Sequence, residues 1–321
     1  MTKFLITGIA GFIGSTLARA VLERGDQVCG IDNFSTGKAE NLADIRDHIE
    51  FIQADLNDEE SVGRACRGID FVLHQAAIPS VPRSVADPFS SNLANVDASL
   101  RLLIAARDAK VKRVVYASSS SIYGDTPSLP KREDMVPNPI SPYAVSKLAA
   151  EHYMGAFYSS YGLATVAIRY FNVFGPRQDP SSQYSGVLAK FIPAMLRGEQ
   201  PTIYGDGEQS RDFTFVQNTV EGNLLACSAP ADRVAGRAFN VATGKRVTLN
   251  YVYSVLQKLT GFDRPPRYGP ERIGDIKHSL ADISLAEACL GYKTCVGFEE
   301  GLKLTVDWYR SQLMPAISNS A

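Results

Sequence analysis

Short apolar runs rich in β-branched residues recur along the first half of this chain: Phe4 to Thr7, Gln27 to Asp32, Glu50 to Ala54, Phe71 to Gln75, Arg113 to Ser118 and Thr165 to Tyr170. Helical patterns separate them. A strand that is apolar at nearly every position must be covered on both faces, and strands alternating with helices close into a parallel sheet. The chain is therefore predicted to be α/β, a Rossmann-type doubly wound parallel sheet. After Asn172 the rhythm breaks into a loop beginning Gly175-Pro-Arg, then a helix around Val187 to Leu196 and an extended piece at Thr202 to Tyr204. Arg211 to Val216 and Ala238 to Val241 read as strands that rejoin the first sheet. The expected division is residues 1–172 with about 211–244 in the dinucleotide-binding domain, and about 173–210 with 245–310 in a smaller, discontinuous C-terminal substrate-binding lobe. Residues 311–321 read as a flexible tail, with fraying from Trp308 onward.

Bulk properties narrow the partner. At 321 residues with a formal net charge of -1 and no basic stripe, the chain lacks the clustered Lys and Arg of a nucleic-acid surface, so a small molecule is expected. Cys29, Cys66, Cys227, Cys289 and Cys295 form no CxxC pair and no metal-like spacing with histidine, which reads as reduced thiols, no metal and a cytoplasmic setting. The N-terminus enters a strand directly and no apolar run approaches ~20 residues, so neither secretion nor a membrane is expected.

Directly after the first strand comes Thr7-Gly8-Ile9-Ala10-Gly11-Phe12-Ile13-Gly14, opening a helix. Glycines there permit a tight turn and bring backbone N–H groups to a pyrophosphate at the helix N-terminus, where the dipole favours negative charge. The spacing GxxGxxG departs from GxGxxG. Asp32 ends the second strand where an acid meets the adenosine ribose hydroxyls; it repels a 2′-phosphate, and no arginine follows immediately, so the cofactor reads as NAD. Asp55 and Leu56 are placed toward adenine, and Ala76 and Ala77 toward the cofactor wall.

Chemistry is signalled by Ser119, in the run Ser118 to Ser121, and by Tyr143 with Lys147 four residues on. Residues i and i+4 share a helix face, so the ammonium is expected within reach of the phenol. A tyrosine with a pKa near ~10 is a poor base at neutral pH unless a cation favours its phenolate, and an oxidised nicotinamide would add positive charge. Tyr143 thus reads as the general base, with Ser119 aligning the same substrate oxygen at ~3 Å.

With these residues in place, the chain resembles the extended short-chain dehydrogenase/reductase family, in particular its nucleotide-sugar 4-epimerases. The resemblance runs through Gly8, Gly11 and Gly14, Asp32-Asn33, Asp55-Leu56, His74-Gln-Ala-Ala77, Ser119, Tyr143 and Lys147, Arg169 to Pro176, Gly205 to Phe213, and Arg272 to Asp282. It implies that Tyr143 takes the proton from a sugar 4-hydroxyl while hydride passes from carbon 4 to NAD⁺, that the 4-keto sugar turns about its pyrophosphate, and that hydride returns to the other face. NAD would be retained between cycles. It implies cofactor contacts at Phe12, Ile13, Ser35, Thr36, Gly37, Gln75 and Tyr170 as well. For a UDP-sugar it implies Arg83, Ser120, Ser121, Asn172, Val187, Lys190, Thr202, Tyr204, Gln209, Arg211, Arg272, Asp275 and Ser279. A homodimer through a four-helix bundle is implied, built from the helix near Leu93 to Ala109 and the one carrying Tyr143.

Related dehydratases carry Asp and Glu immediately after the position of Ser119. Here Ser120 and Ser121 stand there, and hydroxyls cannot replace a carboxylate acid–base pair at neutral pH. Epimerisation is therefore expected. A bulky aromatic after His278 closes the sugar pocket to N-acetyl groups in such enzymes; Ser279 is small, which points to UDP-GlcNAc and UDP-GalNAc, with UDP-glucose and UDP-galactose alongside. A UDP-uronate 4-epimerase such as one for UDP-GlcNAcA, an oxidising relative that releases its keto product, and a non-catalytic NAD-binding sensor stay open.

Overall fold

A computed structural model describes residues 1–180, 186–271 and 277–318. The strands β1 Lys3–Thr7, β2 Gln27–Asp32, β3 Glu50–Gln53, β4 Phe71–His74, β5 Arg113–Ser119 and β6 Thr165–Tyr170 form a parallel sheet. In chain order there follow β7 Val173–Phe174, β8 Thr202–Tyr204, β9 Ser210–Arg211, β10 Thr214–Phe215, β11 Arg237–Val241, β12 Val247–Thr248 and β13 Arg267–Gly269. Strand β11 completes the large sheet beside β6, giving the order β11-β6-β5-β4-β1-β2-β3. The order reverses between β1 and β4, so the crevice for a ligand opens at the carboxyl ends of those two strands.

Helices cover both faces. On one side α1 Phe12–Glu23 and a helix over Val216–Ser228 bury Leu17, Val21, Val220 and Leu224 against the sheet. The other side carries α2 Glu59–Ala65, α3 Val81–Ala86, α4 Pro88–Asn92, α5 Ala98–Asp108 and α6 Pro142–Tyr161, with Leu102, Leu103, Ala150 and Met154 in its core. This two-sided burial is why β4, β5 and β6 read as near-continuous apolar runs. The smaller lobe has its own core around Phe174, Phe191, Ile192, Ile203, Phe213, Val252 and Leu302.

One expectation is corrected. Arg211 to Val216 does not rejoin the large sheet: β9 pairs with β12, β10 pairs with β7, and Val216 already begins a helix. Aromatic packing decides it, because Phe215 meets Phe174 edge-to-face at 5.7 Å and Phe213 packs at a tilt on Phe298 at 5.6 Å, inside the smaller lobe. The last helix runs from Phe298 to Ser318. Tyr309 is buried there, its hydroxyl donates to the Gln178 carbonyl, and Arg310 donates to the Leu259 carbonyl at 2.8 Å.

Asp212 ties the lobes together. Its fully buried carboxylate accepts from the Thr243 hydroxyl at 2.6 Å and from the backbone N–H groups of Thr243 and Gly244, both at 3.0 Å, and Ala281 at 3.3 Å.

Candidate active site

The turn after β1 is set by backbone crowding. Gly8 has φ +66°, and a Cβ there would lie 2.8 Å from the Ala76 backbone; one on Gly14 would lie 2.2 Å from the Gly8 carbonyl oxygen. Only glycine lets β1, β4 and α1 approach so closely. The N-cap of α1 is Gly11, which offers no side chain to the first-turn N–H groups, and those groups open onto a cavity of about 1040 Å³. At the tip of β2, Asp32 accepts from the backbone N–H groups of Ala10 at 2.9 Å and Phe34 at 2.8 Å. Burial pushes its carboxyl up while those bonds pull it down. Asp32 lines the cavity, and as an acceptor it suits a ribose diol. Asn33 donates to Asp55 at 2.6 Å, joining the second and third strand ends. The naked helix N-terminus, the acceptor-only acid and the length of the cavity all fit a dinucleotide.

The residues expected to react stand at the end of β5 and on α6. Ser119 closes β5, accepts the Ser121 N–H at 3.1 Å and lines the cavity together with Tyr143. Helix α6 starts on the Ser141 cap with Pro142 in its first turn, which places Tyr143 one residue further in, on the cavity wall. Lys147, one turn on, is buried, donates to the Ala117 carbonyl at 2.8 Å and lies 5.0 Å from the Tyr116 ring centroid. Burial pushes its ammonium down to about 7. Burial raises the Tyr143 phenol and the neighbouring Ser119 lowers it only in part. Lowering it falls to a positive charge brought in beside it.

All the residues expected to hold the cofactor line this cavity except Gly37, which packs on Ala10. Arg83, Ser120, Ser121, Asn172, Arg211 and Ser279 line it too. The Ser121 hydroxyl is buried without a partner among the described residues. Arg211 donates to the carbonyls of Ser210 and Lys277 at 3.0 and 3.1 Å, and His278 meets the Ser210 hydroxyl at 2.8 Å. Val187, Lys190, Thr202, Tyr204 and Gln209 stand in the smaller lobe off the cavity wall. Arg272 and Asp275 lie outside the described residues.

Sequence reasoning missed several side chains. Asn95, in a five-residue π-turn at Leu93–Asp97, accepts the Ile78 N–H at 2.8 Å and donates to Ser146 at 3.0 Å, and Ser146 donates to the Tyr143 carbonyl at 2.8 Å. Lys131 and Arg177 also reach the cavity. His74 is fully buried between the hydroxyls of Thr7 and Ser99, and burial, aided by Lys147, pushes it down to about 3, so it is neutral. The π-turn has no sequence signature, and a lone lysine or arginine in a loop carries none either.

Residues 4–242 match the NAD dependent epimerase/dehydratase family. Over 314 residues, 97% of this chain and 99% of the relative, the sequence is 40% identical to the UDP-glucose 4-epimerase of Mycolicibacterium smegmatis. Among solved structures, UDP-glucose 4-epimerase of Thermotoga maritima with UDP-glucose superposes with a TM-score of 0.92 at 39% identity, covering 97% of this chain and 100% of that one. The UDP-N-acetylglucosamine 4-epimerase of Methanobrevibacter ruminantium in complex with UDP-N-acetylmuramic acid also reaches 0.92, at 43% identity, covering 97% and 99%.

Proposed function

Because the chain belongs to the NAD dependent epimerase/dehydratase family, we propose that it is an NAD-dependent UDP-sugar 4-epimerase whose principal pair is UDP-GlcNAc and UDP-GalNAc, with UDP-glucose and UDP-galactose as a second pair. One observation carries this reading: Ser119, Tyr143 and Lys147 stand together on the wall of a single cavity that runs from the glycine turn to Arg211 and Ser279. Bound NAD supplies a reversible hydride acceptor for carbon 4. Tyr143 removes and returns the proton at the sugar oxygen, and Ser119 holds that oxygen in line with the phenol. Lys147 keeps a cation near the base, and Gly11 to Gly14 with Asp32 hold the dinucleotide.

Ser120 and Ser121 provide hydroxyls where elimination would need carboxylates, so the keto sugar is reduced again rather than dehydrated. Support for N-acetyl sugars comes from Ser279, which leaves room beside His278. Incubating the purified protein with UDP-GlcNAc and no added cofactor should yield UDP-GalNAc. Accumulating reduced nicotinamide with free keto sugar would instead identify an oxidase, and turnover confined to UDP-uronates would move the pocket assignment.

A homodimer fits the exposed side chains of Ile104 on α5 and Val145, Tyr153 and Tyr158 on α6. Sedimentation showing only monomer at micromolar concentration would reject it. Cys29, Cys66 and Cys227 are buried free thiols, which suits the reducing cytoplasm, and among the described residues no helix is long and apolar enough to cross a membrane.

A further inference from the structure

Arg177 reaches the cofactor end of the cavity from the other lobe. It follows β7 in the loop at residues 175–180, holds φ +69° although it is not a glycine, and donates to the Thr16 hydroxyl on α1 at 3.2 Å. Among the described residues its buried Nε has no hydrogen-bond partner and no carboxylate is ion-paired with it. A non-glycine residue at positive φ is uncommon and persists where its surroundings hold it.

The loop is fastened on both sides. Asp179 pairs with Lys38 at 3.0 Å, and the Gln178 carbonyl accepts the Tyr309 hydroxyl. Lys38 and Asn41 in turn donate to the Ala10 carbonyl inside the glycine turn, at 3.0 and 2.9 Å. A strap from the smaller lobe thus crosses to the same turn that opens α1. Burial, with Arg19 adding to it and Asp44 opposing, pushes the guanidinium down to about 10, a cost that an anion beside it would relieve.

We propose that Arg177 anchors the phosphates of the bound dinucleotide and that the 175–180 strap, latched by Lys38 and Asp179, retains the cofactor between turnovers. The chemistry recognised is a diphosphate flanked by a helix N-terminus on one side and a forked cation on the other. The inference rests on the family's NAD and not on the choice of sugar.

Release of NAD tests it without any sugar present. Wild-type protein should keep NAD through gel filtration. Arg177→Gln should release it roughly 10-fold faster or more, which is what loss of one charge-assisted hydrogen bond brings. Arg177→Lys should recover part of the difference. Asp179→Asn, which alters a partly exposed contact, should speed release by a smaller factor. If Arg177→Gln fails to give folded protein by circular dichroism, Asp179→Asn decides on the same readout. Equal release rates in wild type and the folded variants, or a wild type that does not hold NAD, would overturn the proposal. So would thermal stabilisation by inorganic phosphate alone equal to that by NAD, since it would mark a general anion site. Protein that holds NAD through Arg177 yet converts no UDP-hexose would sink the function proposed above and leave the strap standing.

Discussion

The hydroxyl of Ser84, fully buried on α3, accepts the backbone N–H of Tyr143 at 3.0 Å. Helix α3 also carries Arg83 into the cavity, so one short helix forms part of the cavity wall and holds Tyr143. The bond satisfies a first-turn donor that the helix itself cannot. Ser84→Ala should cost roughly 1 kcal/mol of stability and lower kcat about 10-fold with KM little changed. Denaturant titration and steady-state kinetics check both, and Ser84→Thr should recover part of kcat.

Tyr143→Phe keeps the ring and removes the proton carrier. Turnover should fall by a factor on the order of 10² or more while bound NAD, counted after denaturation, stays at the wild-type level. Unchanged turnover would remove Tyr143 as the base.

Lys147 couples protonation to stability. Its folded value of about 7 lies below the ordinary 10.5, so between those limits the unfolded chain binds more protons. Stability of the cofactor-free protein should then rise as pH climbs from about 7 toward 10, at up to about 1.4 kcal/mol per unit. Lys147→Met should flatten that slope in urea unfolding series.

Glu151 and Arg169 form a buried pair at 2.6 Å, with Ser118 donating to Glu151 at 2.5 Å and Arg169 to Tyr123 at 2.7 Å. Removing one partner strands the other charge away from water. Glu151→Gln should lose roughly 3–5 kcal/mol in chemical denaturation; a loss under about 1 kcal/mol would mean that water reaches the guanidinium.

Ser279→Tyr places a phenol where the N-acetyl group is expected. The ratio of kcat/KM for UDP-GlcNAc to that for UDP-glucose should drop at least about 10-fold, measured by product chromatography. An unchanged ratio would show that this wall does not face the acetamido group.

What could be read from the sequence is what local spacing determines. Continuous apolar runs announced β4, β5 and β6, and the glycine spacing with Asp32 announced the turn. Tyr143 and Lys147 followed from a four-residue step on one helix. Contacts between distant segments left no such trace: Ser84 meets Tyr143 across 59 residues, and Asn95 meets Ser146 across 51. The upward shift of Tyr143 comes from burial, which the i,i+4 pattern does not report. Phe213 and Phe215 read as strand residues of the large sheet because β-propensity names an extended chain and not the neighbour it pairs with. The bonds of Tyr309 to Gln178 and of Arg310 to Leu259 likewise join segments far apart in the chain.

Asp212 gathers three passages of the polypeptide onto one carboxylate, and that limits how the mouth of the enzyme can move. Parting the chain there would strip a buried charge of its donors, so opening of the cavity costs less at its periphery than at that knot.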